Sequence, residues 1–331
     1  MFVLGPWSVP TRMAPLKRTT SQVVLNSFSA IVIVALVIAA LLIARRNLRA
    51  QRADKRGAAR LATFVLAGYA VSWVIAAHHV PDVTSELNIF SRSYGPVLLS
   101  AGVLWLIYLA LEPYVRRFWP DGILGWTRLM AGYVRDPLVG RDVLLGCVFA
   151  VGLTLLEKFY FLVPPLIGRP SGMPLPQSVS ALMGGAALLS TLFDLAVSGL
   201  FPAMFVVLGY VLLRLAFRRT VFAVAAAFVL LFLVQAQQVL NSAAPMWIAL
   251  LFQLSLVAIV TTVVVRYGLL VTAIASSVGS VLGDIPMTTS LSQWTATTSN
   301  LTIAIVLALV FFGFYASRAG QPLFGNLEGK S

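Results

Sequence analysis

The chain has 331 residues, 59% of them hydrophobic and only 11% charged, with a mean hydropathy of +0.91 and a formal net charge of +13. Soluble domains are about 45–50% apolar and about a quarter charged, so this composition excludes both a water-soluble globule and a disordered chain. It requires an all-α polytopic transmembrane bundle whose first partner is the lipid bilayer. The basic excess, 24 Lys and Arg against 11 Asp and Glu, reads in such a chain as a topology signal and not as a nucleic-acid surface.

About 20 mostly apolar residues cross the roughly 30 Å hydrocarbon core. In chain order the candidate spans are Val23–Ala44, Leu61–Ala77, Tyr94–Leu111, Val143–Leu166, Gly184–Leu215, Val221–Leu240, Met246–Val265, Gly268–Val281 and Leu301–Ser317. This gives eight or nine crossings, because two segments are ambiguous. Gly184–Leu215 is long and holds Gly199 and Pro202, so it is strongly tilted, kinked or split. Gly268–Val281 is short and rich in Ser and Gly, which suits either a re-entrant segment or a span.

Arg45, Arg46, Arg49, Arg52, Lys55, Arg56 and Arg60 follow the first span and assign that loop to the cytoplasm. Alternation then puts 18 of the 24 basic residues on that side, with the N-terminus outside and the C-terminus cytoplasmic. The organisation is an extracytoplasmic segment 1–22, a multi-span domain 23–317 with cytoplasmic loops at 45–60, 112–142 and 214–220, and a cytoplasmic tail 318–331. Gly5, Pro6, Pro10 and Pro15 interrupt the first residues, which do not read as a signal peptide. An outward N-terminus without one suggests a chain that begins inside something longer.

Within Glu112–Asp142, Ile123, Trp126, Met130 and Tyr133 recur at three- to four-residue spacing, while Arg128 and Arg135 fall on the polar side. The pattern predicts a short amphipathic helix in the cytoplasmic interface, with rings at headgroup depth. Asp121, Asp136 and Asp142 lie within reach of its arginines. The segment reads either as a structural elbow between two spans or as a docking surface, for which Arg116, Arg117, Trp126, Arg128, Arg135, Asp136, Arg141 and Asp142 are the candidate coupling residues toward a cytoplasmic partner.

Asp194 falls inside a span, and an ionisable residue at membrane depth is a site candidate by default. Gln235 and Gln238 join Gln237 and Asn241 near the outer end of another span, suited to helix-to-helix hydrogen bonding or to a polar path. Glu157 and Lys158 point about 100° apart and read as boundary anchors, Lys158 snorkelling outward. Gly279 and Gly283 form a small-xxx-small pair that predicts close helix approach.

One cysteine, Cys147, and two adjacent histidines, His78 and His79, exclude a disulfide framework and a Cys- or His-built metal centre. The chain carries no phosphate-binding glycine loop, no kinase catalytic sequence and no HExxH. No catalytic centre and no cofactor are expected.

Several strings resemble the C-terminal multi-span membrane region of acidobacterial-type bacterial serine/threonine protein kinases. They are GPWSVPTRM (Gly5–Met13), ARRNLRAQRADKRGAARLATF (Ala44–Phe64), AHHVP (Ala77–Pro81), LALEPYVRRFWP…GWTRLMAGYVRDPLVGRDVLLG (Leu109–Gly146) and FYASRAGQPLFGNL (Phe314–Leu327). The resemblance implies a cytoplasmic kinase domain as partner and the bacterial inner membrane as location. It transfers no catalytic residue, since the kinase motifs are absent. The expected function is a non-catalytic anchoring or sensing module of a signalling kinase. The alternative is a small-solute or ion transporter with Asp194, Gln235 and Gln238 along one polar path.

Overall fold

The computed structural model describes residues 19–76, 79–169, 178–242, 244–288, 290 and 292–318. Among these the α-helices are α1 (Thr20–Arg49), α2 (Lys55–Ala76), α3 (Val83–Phe118), α4 (Leu124–Met130), α5 (Pro137–Leu166), α6 (Gly185–Ser198), α7 (Leu200–Ala216), α8 (Thr220–Leu240), α9 (Met246–Asp284) and α10 (Ala296–Ser317), and no strand occurs. Eight helical segments are long and apolar enough to cross a membrane, α6 and α7 together counting as one. His78, the first 18 residues and the final Ala319–Ser331 stretch, with Lys330, lie outside the described residues.

Helix starts follow local chemistry. Thr19 closes a capping box with Gln22 at the head of α1. Asp82 accepts from the Ser85 N–H at 2.7 Å before α3, and Asp136 accepts from the Leu138 N–H at 2.9 Å before α5. Without water inside the bilayer core, the backbone satisfies itself in these long helices. Their outward faces stay apolar: Ile31, Val34 and Leu42 on α1 are more than half exposed, as lipid contact requires.

The 39 residues of α9 would extend about 58 Å if straight, far beyond one crossing. Gly268 interrupts them at φ 84°, ψ −163°, a conformation open to glycine. Both limbs then pack beside the far half of α5. Phe252 of the first limb meets Tyr160 with ring centroids 4.7 Å apart, and Gly283 of the second lies next to the Glu157 carboxylate. Residues from both limbs line one cavity. α9 is thus an antiparallel hairpin supplying two crossings, and the Gly268–Val281 segment is a return limb. With the two limbs of α9 counted separately, the described residues make nine crossings.

The Gly184–Leu215 segment resolves the other way. Gly199 separates α6 from α7 while both continue in one direction, because its missing side chain lets the backbone press against Ser276 and Ser277 of α9. Ser277 Oγ donates to the Ala196 carbonyl at 2.6 Å across that crossing.

One end of the bundle is tied together by contacts between distant segments. Asn47 donates to the Leu109 carbonyl at 2.9 Å, Arg60 to the Met130 carbonyl, and Trp119 meets Tyr210 edge-on with centroids 5.5 Å apart. Gly268 lies against the Gly122 backbone, and Gly140 against that of Ala316 and Ser317. The basic residues of the α1–α2 turn, the α3–α5 elbow, the α7–α8 turn and the end of α10 gather there. Among the described residues, Arg92, Lys158 and Arg169 lie away from it.

Candidate functional site

The elbow residues come together at the basic end. Arg128 of α4 pairs with Asp136, and Arg141 donates to the Asp142 carboxylate at 2.9 and 3.1 Å. Asp142 is buried and occupies the space left by the missing side chain of Gly125. Arg116 pairs with buried Glu112 one turn back, and Arg117 lies 5.3 Å above the Phe118 ring. Arg135 and Asp121 are exposed.

α4 spans only seven residues, and its aromatic face differs from expectation. Trp126 is 3% exposed and Ile123 likewise buried, while Tyr133 and Val134 are exposed. Trp126 therefore packs into the protein interior and not at headgroup depth. The seating of Gly125 on Asp142 and of Gly122 on Gly268 draws the elbow up under the bundle. The elbow is a brace with exposed guanidinium edges.

Asp194 lies on α6, in a cavity of about 520 Å³ lined by Tyr69, Ser72, Trp73, Tyr94 and Ser190 among others. Ser72 and Ser190 share a hydrogen bond of 2.5 Å beside it, while Asp194 Oδ1 is buried without a hydrogen-bond partner. Gln235 and Gln238 belong to another cavity. The single polar path through Asp194, Gln235 and Gln238 is not formed: Asp194 lines the cavity between α2, α3 and α6, whereas the two glutamines line the one between α5, α8 and α9.

The glutamine cavity holds about 420 Å³ between α5, α8 and both limbs of α9, within the range typical of small-molecule sites. Glu157 and Thr154 reach it from α5, Gln235 and Gln238 from α8, Gln253 from the first limb of α9, and Ser276 from the second. Gln253 is 1% exposed, and neither its Oε1 nor its Nε2 has a hydrogen-bond partner. It stands seven residues, about 10 Å, from the start of α9, so the cavity occupies the half of the bundle away from the basic end.

Gly279 also lines this cavity, and a Cβ there would meet nothing within 4 Å. The small-xxx-small pair thus works differently from the close helix approach it predicts. Gly279 leaves open volume, and Gly283 makes room for the Glu157 carboxylate, 3.5 Å from where its Cβ would be. Tight helix contact falls instead on Gly146, which accommodates Ile274 and the Val271 carbonyl.

Sequence reasoning passed over Gln253 and assigned Glu157 to the boundary. Gln253 did carry a signal, as the lone amide in the mostly apolar run Met246–Val265. Nothing in the sequence indicated that it meets Glu157, almost 100 residues earlier. Among the described residues no three His, Cys, Asp or Glu side chains come together as a metal site would require. No protein-family model, curated protein or solved structure matches this chain.

Proposed function

We propose that this multi-pass membrane protein is a non-catalytic sensing module. It admits a small ligand to the Gln253 cavity in one half of the bilayer and meets a protein partner at its basic end. The observation that carries this reading is Gln253 itself, fully buried with both amide atoms unpartnered at the wall of an open cavity. A buried polar group left unpaired costs about 1–3 kcal/mol, and a span has no structural need of it, since leucine fills the same position. A ligand that pairs with the amide accounts for its retention.

The positive-inside bias supports a cytoplasmic basic end and, with the resemblance to bacterial kinase membrane regions, the inner membrane as the location. The resemblance to kinase membrane regions supports a kinase domain as the partner, with the exposed edges of Arg116, Arg135 and Arg141 as the surface offered to it. Separation of Asp194 from the glutamines supports reception over transport, which needs converging polar groups along one route.

Gln253→Leu tests the reading. Removing two unpaired buried polar atoms raises the thermal unfolding midpoint of the detergent-purified chain by about 2–4 °C per kcal/mol recovered. A midpoint several degrees below wild type instead marks Gln253 as a structural residue and removes the ligand reading.

A further inference from the structure

We infer that the Gln253 cavity takes an organic cation, a primary or substituted ammonium attached to a small apolar body. This rests on the ligand-receiving reading above and names the ligand class. The cavity wall carries one charged side chain, and it is acidic. Glu157 brings a carboxylate, and neither an ion pair nor a hydrogen bond engages it among the described residues. No lysine or arginine lines the space. The adjacent Lys158 acts on Asp284, which follows Gly283 beside Glu157, and neither of the two lines the cavity. A carboxylate in the bilayer half without a counter-ion is costly, and a bound cation relieves that cost.

The remaining lining selects the kind of cation. Tyr160 and Phe252 stand with ring centroids 4.7 Å apart, and Phe161 adjoins Tyr160 at 5.1 Å. Aromatic faces attract ammonium groups through their quadrupoles and accept an apolar body as well. Tyr160 places its hydroxyl on Ser242, which leaves its ring as the surface offered to a ligand. The Gln253 carbonyl and the amides of Gln235 and Gln238 accept N–H donors. A bare metal ion fits poorly, because about 420 Å³ is far more than it fills and a single carboxylate is present. An anion meets Glu157 directly.

The ammonium has two sources, a free amine or the headgroup of phosphatidylethanolamine, and one experiment separates them. The full chain is placed in phosphatidylglycerol nanodiscs and titrated calorimetrically with benzylamine, benzyl alcohol and benzoate, referenced to empty nanodiscs. Benzylamine binds at least tenfold more tightly than benzyl alcohol, and benzoate gives no heat. Glu157→Gln brings benzylamine down to the level of the alcohol. Gly279→Leu, whose side chain enters open space, abolishes binding of both.

Adding an equal part of phosphatidylethanolamine weakens benzylamine at least threefold if the headgroup is the ligand, and leaves it unchanged if a free amine is. Either result upholds the cation. Equal binding of benzylamine and benzyl alcohol, or benzylamine binding untouched by Glu157→Gln, overturns the cation while the cavity reading stands. Absence of binding by all three compounds, or binding indifferent to Gly279→Leu, overturns both.

Discussion

Gly268 turns α9 back on itself directly against the backbone of Gly122, so this reversal touches the α3–α5 elbow through two glycines. A side chain at 268 suffers twice, from a φ of 84° and from collision with the Gly122 carbonyl. This backbone region is essentially reserved for glycine, and the strain alone costs about 1–3 kcal/mol. Gly268→Ala therefore lowers the thermal midpoint and the yield of folded protein. Gly152→Ala is the matched control, with nothing within 4 Å of the added Cβ, and is neutral or stabilising as helix propensity predicts. Equal behaviour of the two variants would contradict the hairpin geometry.

The last helix is held by a similar contact. A Cβ at Gly140 collides with the backbone of Gly313, Ala316 and Ser317, so α5 and α10 cross at atomic contact through their glycines. Gly140→Val pushes the two helices apart at the basic end. Limited proteolysis after solubilisation then cleaves between Ile285 and Ala296, or near Arg318, faster than in wild type, while α1 to α3 remain protected. Unchanged cleavage would show that the crossing tolerates bulk.

His79 gives the far end of the bundle a pH dependence. Its Nδ1 meets Glu86 Oε1 at 2.6 Å and its Nε2 meets the Val74 carbonyl at 3.1 Å, while Glu86 also accepts from the Val80 N–H at 3.0 Å. The Glu86 hydrogen bond, then the Val74 carbonyl, raise the His79 pKa above the ordinary histidine value. A raised pKa means that the imidazolium contributes stability fully below the unfolded value and loses it as pH rises through the folded one. The α2–α3 turn is thus tightest at mildly acidic pH, where Glu86 remains ionised, and loosens toward pH 8. Hydrogen exchange of the Val80 amide, slower near pH 6 than near pH 8 after correction for intrinsic rates, checks this. Glu86→Gln removes the difference.

Orientation has its own test. Alkaline phosphatase is active only outside the cytoplasm, so a fusion after Ser242 is active and one after Arg219 is inactive. The reverse pattern would invert the assignment of the basic end.

The crossings were legible in the sequence because lipid exposure imposes a continuous apolar run of known length, and the clustered arginines mark one end independently. Gly268–Val281 stayed ambiguous because a single glycine performs the reversal, with no polar loop to announce it. Trp126 was misplaced for a related reason. Periodicity shows that a helix has an apolar face, but only the Gly125–Asp142 and Gly122–Gly268 contacts decide whether that face meets lipid or protein. The site was least legible. Glu157, Gln235 and Gln253 occupy three helices far apart in the chain, and composition treats each as an isolated polar residue.

The most direct test of the cavity is chemical entry. Gly279→Cys places a thiol in open space on its wall, and the native Cys147, 3% exposed, serves as an unreactive internal control. The ammonium reagent 2-aminoethyl methanethiosulfonate, applied from the side opposite the basic loops, modifies residue 279 readily and faster than its anionic sulfonate counterpart, and benzylamine slows the reaction. A thiol at 279 that stays unmodified from that side, under conditions that label the unfolded chain, would contradict a ligand-accessible chamber.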